Sequence, residues 1–394
     1  MKEILIISNY YPPENGAAAN RIEQLALKLK QNNYKVLILC PLGNYPKGKL
    51  FPEYKGKFSV IENREGITVK RLWIYPSVSN NLLVRLISVL SFSLGLFFYL
   101  WIKKTPNKIV VQSPPLLISF ISVFVLSLKR KKIILNVSDL WPLAVIELKA
   151  IKENSISHKF SLFMERFIYK KTTLIIGQSN EIITHIHSSF PEKKCYLYRN
   201  FPENRNAKLD LHHLEKEPIK IFYAGLLGIA QGITELCHKI DLDGLNIELH
   251  IFGDGAEKSS LDALISSQTI QNIFFHDIIN REELHEKLKT FDIAIVPLKV
   301  RIYGSVPSKI FEYSSLGFPI LYFGGGEGEI IVRENNLGWV AEVGNYTDLN
   351  SKLKTISECS KLELEKMKKS IRENSNYAFD LDKQIKFLLE EDVF

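Results

Sequence analysis

The sequence predicts an α/β protein made of two Rossmann-like domains facing each other across a linker. Three observations lead there. Short apolar runs of strand length alternate with segments of helical spacing, the signature of βαβ units around parallel sheets. The 394 residues exceed what one hydrophobic core usually supports, which favours two domains of about 200 residues each. Between residues 201 and 218 a polar stretch that begins Phe201-Pro202-Glu203-Asn204-Arg205 and ends Lys216-Glu217-Pro218 breaks the alternation with linker chemistry. At 46% hydrophobic and 24% charged, the composition excludes a disordered, collagen-like or disulfide-stapled chain.

In chain order, apolar runs place strands of the first series at 3–8, 35–40, 68–72, 108–112, 132–137, 174–178 and 195–198. The second series falls at 219–223, 246–251, 273–276, 293–296, 320–323 and 338–340. Domains are accordingly expected at 1–205 and 206–378, with a closing helix at 379–394. The opening Ile4-Leu5-Ile6-Ile7 is too short for a signal-peptide core and has no small-residue cleavage site. Cys40, Cys195, Cys237 and Cys359 lie far apart without a C-x-x-C, which suits a reducing cytoplasm.

The net charge of +8 conceals an asymmetry. Residues 1–200 hold 29 Lys plus Arg against 12 Asp plus Glu, or +17, while the remainder stands at −9. The first half therefore suits an anionic partner. It also holds two long apolar runs, 82–102 and 116–128, flanked by Lys103, Lys104 and Lys129-Arg130-Lys131-Lys132. Either they fill the core, or they form an in-plane surface resting on anionic lipid. Residues 82–102 are also long enough to cross a bilayer, but Arg85 and the serines at 88, 91 and 93 argue against a span. Nucleic acid is not an expected partner, because the basic residues interleave with aliphatic runs and not with aromatic platforms.

Ligands in open α/β sheets bind outside the C-terminal ends of strands, so candidate chemistry is sought there. After the first strand, Gly16-Ala17-Ala18-Ala19-Asn20 opens a helix whose free N–H groups suit an anion or hydroxyl; a tight strand-to-helix turn is the alternative. Asp139, in Ser138-Asp139-Leu140-Trp141-Pro142, follows another strand and either meets a sugar hydroxyl or caps a helix starting at Pro142. Gly225, Gly228 and Gly232 allow a phosphate-cradling loop, although their spacing is neither the dinucleotide fingerprint nor a P-loop. The richest segment runs from Lys299 to Gly317: Pro307 starts a short helix, and Lys299, Arg301, Ser305, Ser308 and Lys309 surround its positive end. That end suits a diphosphate, and Glu312, one turn on, suits a ribose diol; an ordinary Lys309–Glu312 surface pair is the bland alternative. The nine histidines show no metal-ligand spacing, and His185 and His187 are expected to point to solvent.

Together these segments resemble the retaining glycosyltransferases of family 4, whose two-domain fold is called GT-B. The likeness is strongest to bacterial members that make O-antigen or capsule sugars, among them the N-acetyl-L-fucosamine transferases. Its carriers are YYPPENGAAANR, QSPPLL, SDLWP, AGLLGIAQG, IFGDG and GSVPSKIFEYSSLGFPIL. The resemblance implies an acceptor in the first domain, near Gly16, Ala17, Asn20 and Ser113, and a nucleotide-sugar donor, usually a UDP-sugar, in the second. Asp139 and Asn200 would line the cleft, Asn200 being counted with the donor contacts. Gly225, Gly228 and Gln231 would approach the diphosphate, Ile278 and Ile279 the uracil, Glu312 the ribose and Glu329 the donor sugar. Asp139, Lys309 and Glu312 would be the catalytic set, with no cofactor and no metal, because the leaving diphosphate itself takes the acceptor's proton. The closing helix would return to the first domain. The enzyme would work in the cytoplasm on the inner membrane face, on a lipid-diphosphate-linked glycan.

Three departures stand out. Counting back from Glu312, the first glutamate of the family's E-x7-E falls on Gly304. The Arg and Lys of its glycine loop correspond to Leu226 and Gln231, and a common histidine before Asp139 is Ser138. Two other activities stay open at this level: a nucleotide-sugar epimerase of the same shape, and a non-catalytic nucleotide-sugar-binding partner in a membrane assembly complex.

Overall fold

The computed structural model describes the chain except residues 1, 15, 46, 78–80, 148–150, 204–216, 267–271, 278 and 280, and the side chains of 82, 265, 266, 281, 282 and 285. It divides into two compact units: Met1–Asn200 with Tyr303–Ser305 and Asp382–Phe394, and Phe201–Ile302 with Val306–Leu381.

The first unit runs β1 (Lys2–Ile7), α1 (Ala17–Gln31), β2 (Tyr34–Pro41), β3 (Ser59–Arg64), β4 (Ile67–Leu72), α2 (Leu82–Ile102), β5 (Lys108–Ser113), α3 (Leu116–Leu128), β6 (Lys132–Val137), α4 (Leu143–Glu147), α5 (Ile156–Lys171), β7 (Leu174–Gly177), α6 (Asn180–Ser189) and β8 (Cys195–Leu197). Its sheet has the order β3-β4-β2-β1-β5-β6-β7-β8. Every pairing is parallel except β3 with β4. The middles of the central strands are apolar because helices bury both faces of a parallel sheet; Ile4, Leu5, Ile6 and Ile7 of β1 are fully buried.

The second unit runs β9 (Ile219–Leu226), α7 (Ile233–Lys239), β10 (Ile247–Asp254), α8 (Lys258–Ser266), β11 (Ile273–His276), α9 (Arg281–Leu288), β12 (Ile293–Pro297), α10 (Ser308–Ser315), β13 (Ile320–Phe323), α11 (Glu327–Glu334), β14 (Gly338–Ala341), α12 (Tyr346–Ser357) and α13 (Lys361–Ala378). Its sheet is wholly parallel, in the order β11-β10-β9-β12-β13-β14. Asp292, buried before β12, accepts from Lys361 Nζ (2.6 Å) and from the backbone N–H of Lys220 (2.8 Å), tying α13 to the foot of the sheet.

The last helix, α14 (Leu381–Glu390), packs with the first unit almost entirely. Lys28 pairs with Asp382 at 2.7 Å, and Gln384 accepts from the Arg199 N–H (2.9 Å) and donates to the Arg199 carbonyl (3.0 Å). The Phe394 carbonyl accepts from Tyr34 Oη (2.8 Å) and Lys108 Nζ (2.6 Å).

All thirteen expected strands form, and one more joins them. β3 was not expected; it is an exposed edge strand joined to β4 by a two-residue turn, Glu65-Gly66, with φ of 49° and 75°. The histidines are corrected as well: His185 Nε2 lies 3.2 Å from Glu165 Oε1, and His187 Nε2 lies 3.0 Å from the Lys193 carbonyl. The apolar run 82–102 is both core and surface. Phe92, Leu96 and Leu100 of α2 are fully buried, while Leu83, Leu94, Phe98 and Trp101 are more than half exposed.

Candidate active site

Each sheet has one place where the connections diverge to opposite sides, and there the strand ends leave a crevice. In the second unit it lies between β9 and β12. The loop after β9 reaches that crevice because a glycine near the end of β10 and another just after it let backbones touch. A Cβ on Gly253 would stand 2.0 Å from the Gly225 carbonyl oxygen, and one on Gly255 would stand 2.5 Å from that of Leu227. The Leu227 N–H donates to the Asp254 carbonyl (3.0 Å) and the Glu257 N–H to the Leu227 carbonyl (2.9 Å). Tyr223 Oη donates to the Leu226 carbonyl (2.6 Å), and Tyr313 Oη donates to that of Ala224 (2.7 Å). Burial raises both phenols above their ordinary pKa, which keeps them donors.

Lys309 faces this loop from α10. A Cβ on Gly225 would stand 2.5 Å from Lys309 Cε and 3.2 Å from its ammonium, so only glycine leaves the lysine its place. The ammonium also lies 5.1 Å from the centre of the Tyr313 ring. Pro307 caps α10 and Ser308 begins it, one position outside the expected Pro307 start. Its first N–H groups, Lys309 and the bare backbone of Gly225 therefore converge on one anion-sized locus. Glu312 is half-buried one turn further on. Gln231 turns its amide oxygen toward Gly228, where an added Cβ would stand 2.6 Å away.

The cations expected around this helix end do not form one group. Lys299 pairs with Glu235 at 2.7 Å, a hydrogen bond that raises the lysine pKa, while Lys239 at 2.6 Å and then Lys299 lower the glutamate's; the Lys299 stem covers Gly232. Arg301 is exposed beside Gly325. Glu329, in the first turn of α11, is held by Arg333 at 3.0 Å. Ile279 is half-buried beyond β11, and Ile278 lies outside the described residues. One element went unnoticed in the sequence: Gly324-Gly325-Gly326 joins β13 to α11 and wraps the Tyr322 hydroxyl, which donates to the Gly325 carbonyl (3.0 Å). It places the buried Glu327 at the first turn of α11. Three consecutive glycines after a strand were the available signal.

In the first unit the divergence lies between β1 and β5. Gly16 (φ 148°), Ala17 and Asn20 are exposed at the N-terminus of α1, beyond β1. Glu14, buried beneath them, accepts from the N–H groups of Asn44 (2.9 Å) and Tyr45 (3.0 Å). A hydrogen-bonded chain crosses the strand ends. Arg21 Nη2 donates to Asn136 Oδ1 (2.9 Å) and to the Tyr198 carbonyl (2.6 Å); Asn136 donates to Gln112 (2.7 Å), and Gln112 to Ser138 Oγ (2.7 Å). Burial lowers the Arg21 pKa to about 10. Arg21→Ala is expected to cost about 2–4 kcal/mol, because it leaves two buried acceptors unmatched; the urea midpoint measures it.

Asp139 follows β6 and is half-buried, and burial raises its pKa against the pull of Arg21. α4 begins at Leu143, and among the described residues the Asp139 carboxylate makes no hydrogen bond, so the helix-capping alternative falls away. Ser113, expected near the acceptor, is buried at the end of β5, and its carbonyl accepts from the Ser138 N–H (2.9 Å). Ser305 and Asn200, expected with the donor, belong to this first unit. Gly304 does too. Its N–H donates to Glu181 Oε2 (2.7 Å) and its carbonyl accepts from Ser179 Oγ (2.7 Å). With φ 84°, and with a Cβ only 3.0 Å from Ile182 Cγ1, the position cannot carry a glutamate in this conformation.

Residues 205–376 match the family model for glycosyl transferases group 1. Solved structures share the whole architecture. TarM of S. aureus superposes with a TM-score of 0.68 at 12% identity, covering 99% of this chain and 98% of that one. Anabaena HepE in complex with UDP and glucose gives 0.69 at 12% identity, covering 99% and 100%. WaaG, a glycosyltransferase involved in lipopolysaccharide biosynthesis, gives 0.67 at 12% identity, covering 97% and 98%. The chain has the GT-B fold. With the family match, this supports a group 1 glycosyltransferase. No match was found among curated protein sequences. The glycine loop and α10 lie in the segment that the family model matches, and Asp139 and Gly16 lie in the first unit.

Proposed function

We propose that the protein is a family 4 transferase that moves a sugar from a UDP-sugar to a lipid-diphosphate-linked glycan, with retention at the anomeric carbon and without a metal. The sugar is N-acetyl-L-fucosamine or a related N-acetylated sugar. The setting is O-antigen or capsule assembly at the inner face of the cytoplasmic membrane. One observation carries the reading: Lys309 packed on Gly225 at the N-terminus of α10. A cation, helix N–H groups and a side-chain-free backbone at one strand end suit a diphosphate whose charge grows as it leaves. The UDP and glucose in the HepE complex, and the role of WaaG in lipopolysaccharide biosynthesis, support the donor and product classes.

In this reaction the acceptor hydroxyl oxygen bonds to the anomeric carbon as the carbon–oxygen bond to the diphosphate breaks on the same face. The hydroxyl proton passes to the departing phosphate oxygen, and UDP leaves. Lys309 and the α10 N–H groups hold the developing charge, Glu312 holds the ribose and Asp139 orients a sugar hydroxyl.

A thermal-shift series over UDP, GDP and their sugars is the direct test. A ligand present at 100 times its Kd and bound only to the folded state stabilises by about 2.7 kcal/mol. UDP and one UDP-sugar should raise the melting point while GDP does not. No response to any uridine nucleotide would refute the donor assignment. Transfer should persist in EDTA; its loss, and recovery with a divalent cation, would overturn the metal-free step.

A further inference from the structure

Helices α2, α3 and α5 carry a surface that the transfer chemistry does not use. α3 packs against both of the others. Along α2, Leu83, Leu86, Leu90, Leu94, Phe98 and Trp101 recur at three- and four-residue spacing and are all exposed. They form a stripe about 27 Å long at 1.5 Å per residue. Beside it is an apolar groove of 640 Å³ whose walls include Phe58, Trp73, Tyr75 and Leu94. Contiguous exposed apolar surface on this scale marks an interaction site.

The rim is cationic. At the shared C-terminal ends of α2 and α3, Lys129 Nζ donates to the Trp101 carbonyl (2.7 Å), which brings the 129–132 cluster beside Lys103 and Lys104. On α5 a second groove, of 550 Å³, combines Lys159, Arg166, Lys170 and Lys171 with Phe163 and Phe167. These four cations are exposed and have no ion-pair partner among the described residues. The phenylalanines join ring to ring with Phe120 and Phe124 of α3.

We infer that this three-helix face docks on an anionic bilayer, with α2 lying in the membrane plane and the α5 groove taking lipid phosphate headgroups. The charge pattern favours lipid over a second copy of the chain, because two such cationic rims would repel each other. Stripe and rim match the two needs of an interfacial helix: apolar side chains for the acyl boundary, and lysines or arginines at headgroup level. The inference rests on the proposed activity only in that a lipid-linked acceptor sits at such a surface.

The test is co-sedimentation of the full chain with vesicles of phosphatidylglycerol and phosphatidylcholine in equal parts, and of phosphatidylcholine alone. Two variants are compared, Leu94→Glu with Phe98→Glu, and Lys159→Glu with Arg166→Glu and Lys170→Glu. All five side chains are exposed, so melting points should hold. The wild type should pellet with anionic vesicles and be released by salt. Each variant should bind at least about tenfold more weakly. A wild type that stays in the supernatant, or variants that bind like it, would overturn the inference. So would a lipid-free dimer that the α2 variant converts to monomer, which would assign the face to a second copy. UDP-sugar binding measured on the same samples separates the two readings: vesicle binding without nucleotide binding refutes only the transferase, and the converse refutes only the docking face.

Discussion

Replacing Lys309 with alanine is expected to lower the rate of UDP release by about 10²–10³-fold, the loss typical when one preorganised donor to a developing oxyanion is removed. The melting point should change little. Lys309 is half-buried, and its ammonium rests on a glycine and the face of Tyr313, so truncation strands no buried carboxylate. Lys299 is not placed to compensate, because Glu235 holds its ammonium at 2.7 Å and its stem lies on Gly232. Lys309→Arg sharpens the test. The guanidinium keeps the charge but is larger, and the space over Gly225 is already filled to contact, so only partial recovery is expected. Turnover of Lys309→Ala equal to the wild type would remove the residue from the mechanism and leave the α10 N–H groups as the charge-stabilising element.

The contrast between Lys309 and Lys299 shows how far the sequence could be read. Both stand near the same helix end in the chain, and local spacing makes both candidates for the diphosphate. What separates them is Glu235, a residue more than sixty positions away that only the fold brings to Lys299. The strands were legible because buried parallel strands carry continuous apolar runs, Ile4–Ile7 in β1 and Ile133–Leu135 in β6. β3 was not, because Ser59–Arg64 is an edge strand whose side chains stay exposed or half-exposed, which leaves polar residues in the run. Strand ends were underestimated for a related reason. β9 and β10 continue to Leu226 and Asp254, past their apolar runs, because facing glycines let the ladder persist where core packing has ended. The same glycines position the candidate site. Arg21 escaped notice as well, since an arginine in the first turns of a helix reads as surface until Asn136 and the Tyr198 carbonyl close over it.

Gly253→Ala should be the most damaging single-methyl change in the second unit. Gly253 pairs with Gly225 across β10 and β9, and its φ of 157° belongs to a region that side chains rarely adopt. The added carbon would stand 2.0 Å from a backbone oxygen, not from the end of a flexible side chain, so the strand ends must separate. Forced repacking with backbone strain costs about 2–4 kcal/mol. For a unit of this size that corresponds to a melting point lower by roughly 5–15 °C. The displacement falls on Gly225 and on the Leu227 bonds to Asp254 and Glu257, so UDP binding should weaken more than stability alone explains. Gly244→Ala supplies the comparison. Gly244 also has positive φ, 71°, but an added Cβ meets nothing within 4 Å, so the cost should stay near 1 kcal/mol and UDP binding should be unchanged. Equal melting points for the two variants would mean that conformation alone, and not the close approach of β10 to the glycine loop, requires glycine at 253. The loop would then owe its position to the Tyr223 and Tyr313 hydroxyls, and replacing those two residues with phenylalanine would become the change that abolishes nucleotide binding.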